Sequence, residues 1–143
     1  MEEKMYFWDK HKTIISYYEL LSGAVCDRYE LTQMEYDILM FLHNNPQNNT
    51  AAEIVKIRKS TKSHVSTSLK KLEKGGYIQK TQQEQDSRVR FVELTEKGRG
   101  VVEESKEIFH QMDAKLLEGF DKEQLEVLQS LLGQMYRNAK NIE

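Results

Sequence analysis

Only one cysteine, Cys26, occurs in the 143 residues. It has no partner for an intrachain disulfide, so a small secreted scaffold held by disulfides is excluded. There is one proline and there are seven glycines, and no phosphate-binding glycine loop is formed. His-Glu-x-x-His and Gly-x-Ser-x-Gly are also absent. The four histidines are scattered and Cys26 has no nearby base, so an enzyme is not expected. No apolar run approaches the roughly 18 residues that span a bilayer. The opening Met1-Glu2-Glu3-Lys4 lacks the basic lead and apolar stretch of a signal peptide. An excess of one charge is missing too, because 21 Lys+Arg face 23 Asp+Glu. That balance, with 38% apolar residues, argues against disorder. We expect a soluble cytoplasmic protein with no membrane partner, built as one domain or one small domain with helical extensions. The apolar content is lean, which leaves room for a second subunit to supply buried surface.

The balanced total hides an uneven distribution. Between Lys56 and Arg90 ten basic residues face three acidic ones, a net of +7 inside a chain that is otherwise −9. A basic module in an acidic protein suggests one surface made for a polyanion. By itself this does not separate nucleic acid from an ordinary solvated lysine face.

Three stretches carry the residues of a capping box, in which a side chain and a backbone amide at each end of one turn satisfy each other. They are Thr32-Gln33-Met34-Glu35, Thr50-Ala51-Ala52-Glu53 and Asp121-Lys122-Glu123-Gln124. Leu31 and Tyr36, and Phe120 and Leu125, are placed as hydrophobic staples for the first and third. The polar run 44–49, which holds Pro46, reads as a loop. We expect helices over about 5–29, 33–44, 51–58 and 61–74, the last ended by Gly75-Gly76. Strands are expected at 77–81 and 89–94 around a polar loop, then helices from Thr95 to about 119 and from 121 to about 141. The fold class is mainly α with a small β-hairpin wing: a winged helix-turn-helix flanked by N- and C-terminal dimerisation helices.

At 100° per residue the helix 61–74 has two unlike faces. Thr61, Val65, Ser68, Leu69 and Leu72 share a stripe to be buried, while Ser60, Ser63, Thr67, Lys70, Lys71 and Lys74 point away from it. His64 lies on one flank and Lys62 on the other. Short hydroxyl side chains let a helix approach base edges closely, and lysines further along attract phosphate. Only Glu73 is acidic in this stretch, which favours double-stranded DNA as the partner over a merely solvated face. In the hairpin, Lys80, Arg88 and Arg90 flank the loop, and an arginine at a hairpin tip can enter a narrow minor groove. Asp86 would repel phosphate unless it fixes a neighbouring cation; the alternative is a surface ion pair worth little.

The sequence resembles the MarR family, bacterial regulators of the multiple-antibiotic-resistance type. The resemblance covers about residues 31–142 and rests on three runs. These are Leu69-Lys70-Lys71-Leu72-Glu73-Lys74-Gly75-Gly76-Tyr77-Ile78, then Asp86-Ser87-Arg88, then Glu93-Leu94-Thr95-Glu96-Lys97-Gly98. The resemblance implies a homodimer on a pseudo-palindromic operator, released or altered by a small molecule, a metal or an oxidant. It implies that Arg88 is a minor-groove arginine oriented by Asp86, and that Ser60, Lys62, Ser63, His64 and Thr67 are helix contacts. Lys70, Lys71 and Arg90 complete the expected DNA-binding set.

The chain ends carry the expected dimer. Leu125, Leu128, Leu132, Met135, Ala139 and Ile142 step by 3, 4, 3, 4, 3, an a/d seam. Val102, Ser105, Phe109, Met112 and Leu116 repeat the spacing on the preceding helix. The N-terminal helix offers Met5, Trp8, Ile15, Tyr18 and Val25 on one ridge, with Phe7, Ile14 and Leu21. A seam within one chain remains an alternative by pattern alone. The expected division is 1–30 and 96–143 for dimerisation, with 31–95 binding DNA and Trp8, Ile15, Leu125, Leu128, Leu132 and Met135 at the interface.

No cofactor is expected. The effector is expected to be a small molecule whose identity the sequence does not give, and a promoter-bound regulator most commonly represses. Tyr17, Tyr18 and Tyr36 are candidates to line an effector cleft, or are simply core. Two further readings stay open, a redox- or zinc-responsive member of the same family and a winged-helix interaction module that does not bind DNA. Asp27 and Glu30 beside Cys26 would raise its thiol pKa, against a redox role. Cys26, Glu30, Asp37, Glu103, Glu107 and His110 are a set too rich in carboxylates to suit zinc.

Overall fold

The computed structural model describes residues 7–82 and 90–142. In order these are α1 (Phe7–Tyr29), α2 (Gln33–Asn44), α3 (Ala51–Arg58), α4 (Lys62–Lys74), β1 (Ile78–Gln82), β2 (Arg90–Leu94), α5 (Glu96–Leu116) and α6 (Lys122–Lys140). The chain divides into two compact units, Met1–Phe109 and His110–Glu143.

Local chemistry sets most helix starts. Thr32 accepts a bond from the Glu35 N–H, while the Thr32 N–H donates to the Glu35 carboxylate at 2.8 Å. Asp121 and Gln124 close the same reciprocal box on α6. The box expected at Thr50 is half made: Thr50 accepts from the Glu53 N–H. Thr61 corrects an expectation. It is exposed and caps α4 by accepting from the His64 N–H, so it is not part of the buried stripe. Helix periodicity cannot place a residue whose backbone is still extended, as Thr61 is at φ −75°, ψ 148°. Gly75 ends α4 with an ordinary right-handed backbone, and Gly76 takes the left-handed one at φ +82°. β1 starts one residue later than expected, and α5 stops at Leu116, ahead of a left-handed Gly119.

β1 and β2 pair antiparallel with Ile78 opposite Leu94 and Gln82 opposite Arg90. A single bridge joins Thr50 to Phe91, and the Val92 N–H donates to the Asn49 carbonyl at 2.7 Å. The core of the first unit is Tyr36, Ile38, Leu39, Ile54, Val65, Leu69, Leu72, Val92, Val101 and Val102, all almost fully buried. Burial of each such side chain contributes about 1.5–3 kcal/mol for the larger aliphatics. This core binds α2, α3, α4, the hairpin and the start of α5 into one body, from which α4 presents its other face. Val25 of α1 and Val102 and Ser105 of α5, expected on the dimer seam, are buried inside this unit. In the second unit α6 has no buried residue.

Candidate nucleic-acid interface

A tight turn presents α4. α3 ends at Lys59, which is left-handed at φ 54°, and the Ser60 N–H donates to the Val55 carbonyl. Ser60 is half-buried, with its hydroxyl turned to the Arg58 carbonyl at 3.5 Å, and so sits in the turn before the helix face. Lys62, Ser63, His64, Thr67, Lys70 and Lys71 are all exposed, while Val65, Ser68, Leu69 and Leu72 are buried. One stretch of helix therefore separates the two faces as its periodicity requires. Ser66 is exposed as well; the serine lies at 100° from Val65, a flank that pattern reading passes over.

The N-terminus of α4 differs from its neighbours. The first turns of α1, α2, α3, α5 and α6 carry Asp9, Glu35, Glu53, Glu96 and Glu123, whereas that of α4 carries no acid. An acid there satisfies the helix dipole from within. Without one, the positive end of the α4 dipole is not offset by an acid of its own first turn, a setting that favours an anion. The last turn holds Lys71 and Lys74.

Among the described residues, Arg58 and Lys80 are engaged elsewhere. Arg58 turns inward and donates to Asp37 Oδ2 at 3.2 Å. Lys80, with its side chain only 19% exposed, pairs with Glu73 at 3.8 Å. Arg90 is exposed at the start of β2. Asp86 and Arg88, expected at the wing, lie outside the described residues, as does Met5.

Behind this face, Asp37 gathers three elements. Its Oδ1 accepts from the Tyr18 hydroxyl and from Gln33 Nε2, each at 2.9 Å, and its Oδ2 takes Arg58. The Tyr18 ring stacks on Phe109 with centroids 5.5 Å apart. Burial, then the Asp37 charge and hydrogen bond, push the Tyr18 hydroxyl far above the ordinary tyrosine range. Tyr18 thus belongs to a structural network and is half-buried, as is Tyr17, while Tyr36 is fully buried. Sequence reading missed this centre because its members are 19 and 21 residues apart and no local pattern links them.

Cys26 is buried, and burial, Asp37 and Asp27 raise its thiol above the ordinary value. A raised, buried thiol is a poor nucleophile. Among the described residues no three His, Cys, Asp or Glu come together as metal ligands, and no helix is long and apolar enough to cross a membrane. An open groove of about 340 Å³ lies between the end of α2 and β2, with His43, Pro46, Asn49, Glu93 and Arg99 on its walls.

Large apolar side chains remain exposed at both chain ends. Trp8 is 71% exposed, Ile15 42%, Leu132 52% and Met135 47%, while Leu125 and Leu128 are half-buried.

Residues 20–105 match the family described as transcriptional regulator SarA/Rot. The chain is 32% identical over 116 residues to an uncharacterized HTH-type transcriptional regulator, YybA of Bacillus subtilis (strain 168), covering 80% of this chain and 73% of that one. A MarR transcriptional regulator from Methanosarcina mazei Go1 superposes with a TM-score of 0.82 at 22% identity, over 97% of this chain and 99% of the other. Streptococcus pneumoniae FabT, solved in complex with DNA, gives a TM-score of 0.72 at 23% identity over 96% and 99% of the two chains. The last two likenesses are of fold.

Proposed function

The chain belongs to the SarA/Rot family of winged-helix transcriptional regulators, and is not an enzyme; from that premise we propose that it binds a pseudo-palindromic operator in double-stranded DNA as a homodimer and represses from it. The observation that carries this reading is the exposed face of α4: a hydroxyl-rich first half without an acid, then Lys70, Lys71 and Lys74. In this reading α4 enters the major groove, Ser63, His64 and Thr67 meet base edges, and the lysines meet phosphates. Arg90 approaches the backbone from the wing, with Arg88 in the minor groove and Asp86 orienting it. FabT, which shares the fold, was solved in complex with DNA, and this supports DNA as the partner.

Binding of the full chain to duplex from its own upstream region, followed by anisotropy across a salt series, tests the proposal. We expect a steep dependence, with about −0.9 in the slope of log affinity against log salt for each phosphate neutralised, and preference over random duplex. A shallow slope without preference, on upstream and genomic fragments alike, would mean that this face serves a protein partner instead.

Residues 1–30 and 96–143 would form the dimer. Exposed Trp8, Ile15, Leu132 and Met135, with half-buried Leu125 and Leu128, support an interface between two copies. Light scattering at micromolar concentration should read the mass of two chains, and a single-chain mass would remove the dimer. A small-molecule effector completes the proposal.

A further inference from the structure

The end of α4 is held as closely as its start. Three successive carbonyls leave the helix, those of Gly75, Gly76 and Tyr77, and each is taken by the stretch that opens α5. Lys97 Nζ donates to the Gly75 carbonyl at 2.8 Å. The Thr95 hydroxyl donates to the Gly76 carbonyl at 2.5 Å, and the Thr95 N–H to the Tyr77 carbonyl at 3.0 Å. Lys97 is the one charged member of this buckle. Its ammonium also stands 4.3 Å over the centroid of the Tyr77 ring. The Tyr77 ring in turn meets that of Tyr29 edge-on at 6.4 Å, and the Tyr29 hydroxyl donates to Glu104 of α5 at 2.5 Å. Glu104 also pairs with Arg28.

Carbonyls at a helix C-terminus lack partners within the helix and form the negative end of its dipole, where a cation is favoured. A cation over an aromatic face gains a second attraction. We propose that Lys97 is a positioning residue for DNA recognition: its ammonium fixes the C-terminal end of α4 to the start of α5, and it acts through the recognition helix without contacting phosphate. This rests on the DNA-binding reading given above. Lys97 is exposed, so by charge alone it would be counted with Lys70 and Lys71. Its geometry separates it from them, because its donor and its charge are already directed at the protein.

The distinction is measurable. A lysine that neutralises a phosphate contributes about 0.9 to the salt slope, whereas a positioning lysine changes affinity by the same factor at every salt. The full chain would be compared as wild type, Lys97→Met, Lys97→Arg and Lys71→Ala by anisotropy on the duplex described above. Amide hydrogen exchange at Gly75, Gly76 and Tyr77, whose N–H groups bond to the Lys71, Glu73 and Leu72 carbonyls, would be read without DNA. For Lys97→Met we expect affinity to fall about tenfold at unchanged slope, and exchange at these amides to quicken about tenfold, the worth of one charge-assisted hydrogen bond. Lys97→Arg should restore both, and Lys71→Ala should lose slope. Wild-type exchange in Lys97→Met, or a slope reduced as in Lys71→Ala, overturns the proposal. If wild type does not bind DNA at all, the DNA-binding reading fails, and exchange alone then shows whether the strut exists. Should Lys97→Met not fold, Lys97→Gln replaces it with the same expectations.

Discussion

Replacing Gly98 by alanine is expected to destabilise the protein by about 3 kcal/mol, at the upper end of overpacking costs. A Cβ built at Gly98 would stand 2.2 Å from the Tyr77 carbonyl oxygen and 3.2 Å from its carbon. Both atoms belong to the backbone that leaves α4, so no side-chain rotation relieves the clash. The glycine is required for room, because α5 at Gly98 packs directly on the backbone of Tyr77, just before β1. The expected readout is a thermal midpoint lower by roughly 10 °C. Gly100, one turn-fraction away on the same helix, has nothing within 4 Å of a built Cβ. Gly100→Ala is therefore the control, and should be neutral or stabilise by about 0.5–1 kcal/mol through helix propensity. Equal melting of Gly98→Ala and wild type would refute the close-packing account.

Asp37→Ala is expected to cost about 2–4 kcal/mol, read as a lower urea midpoint at pH 7. It removes the acceptor of Tyr18 and Gln33 and the partner of Arg58, whose Nε is already buried without a partner. The Asp37 and Arg58 side chains are 16% and 31% exposed, so solvent screening lowers the figure from that of a fully buried pair. The centre also predicts alkaline behaviour. Tyr18 is raised in the folded state, so its neutral hydroxyl contributes stability that is complete below the unfolded tyrosine value of about 10 and is lost as pH rises above it. The loss should be shallower in Asp37→Ala, which lacks both the charge and the hydrogen bond that help raise Tyr18. A change below about 0.5 kcal/mol would show that Asp37 does not organise the three helices.

Both residues show what can and cannot be read from a sequence here. Caps were legible at Thr32 and Asp121 because the donor and acceptor sit three residues apart and settle their geometry locally. The two faces of α4 were legible because burial of Val65, Leu69 and Leu72 follows helical period. The same period misplaced Thr61, where the helix has not yet begun. Gly98 and Lys97 could be quoted as parts of a motif, but their partners at Tyr77 and Gly75 lie some twenty residues back and depend on how the hairpin returns. Tyr18, Asp37 and Arg58 carry no spacing signal, since the tertiary fold brings them together. In the basic count, Arg58 and Lys80 looked equivalent to Lys70; only the fold shows that their charges are directed at Asp37 and Glu73.

Thr50 has a double attachment with a consequence for how this chain tolerates change. Its side chain caps α3, while its backbone bridges to Phe91, and the neighbouring Asn49 carbonyl holds the Val92 N–H. By composition the polar stretch 44–49 is where insertions and deletions between related sequences would be placed. The attachments divide that stretch in two. A change of length around Pro46 and Gln47 can be absorbed by exposed chain, since both residues are exposed. One at Asn49 would shift the start of α3 and the register of β2 in a single step, so variation in loop length should stop short of that residue.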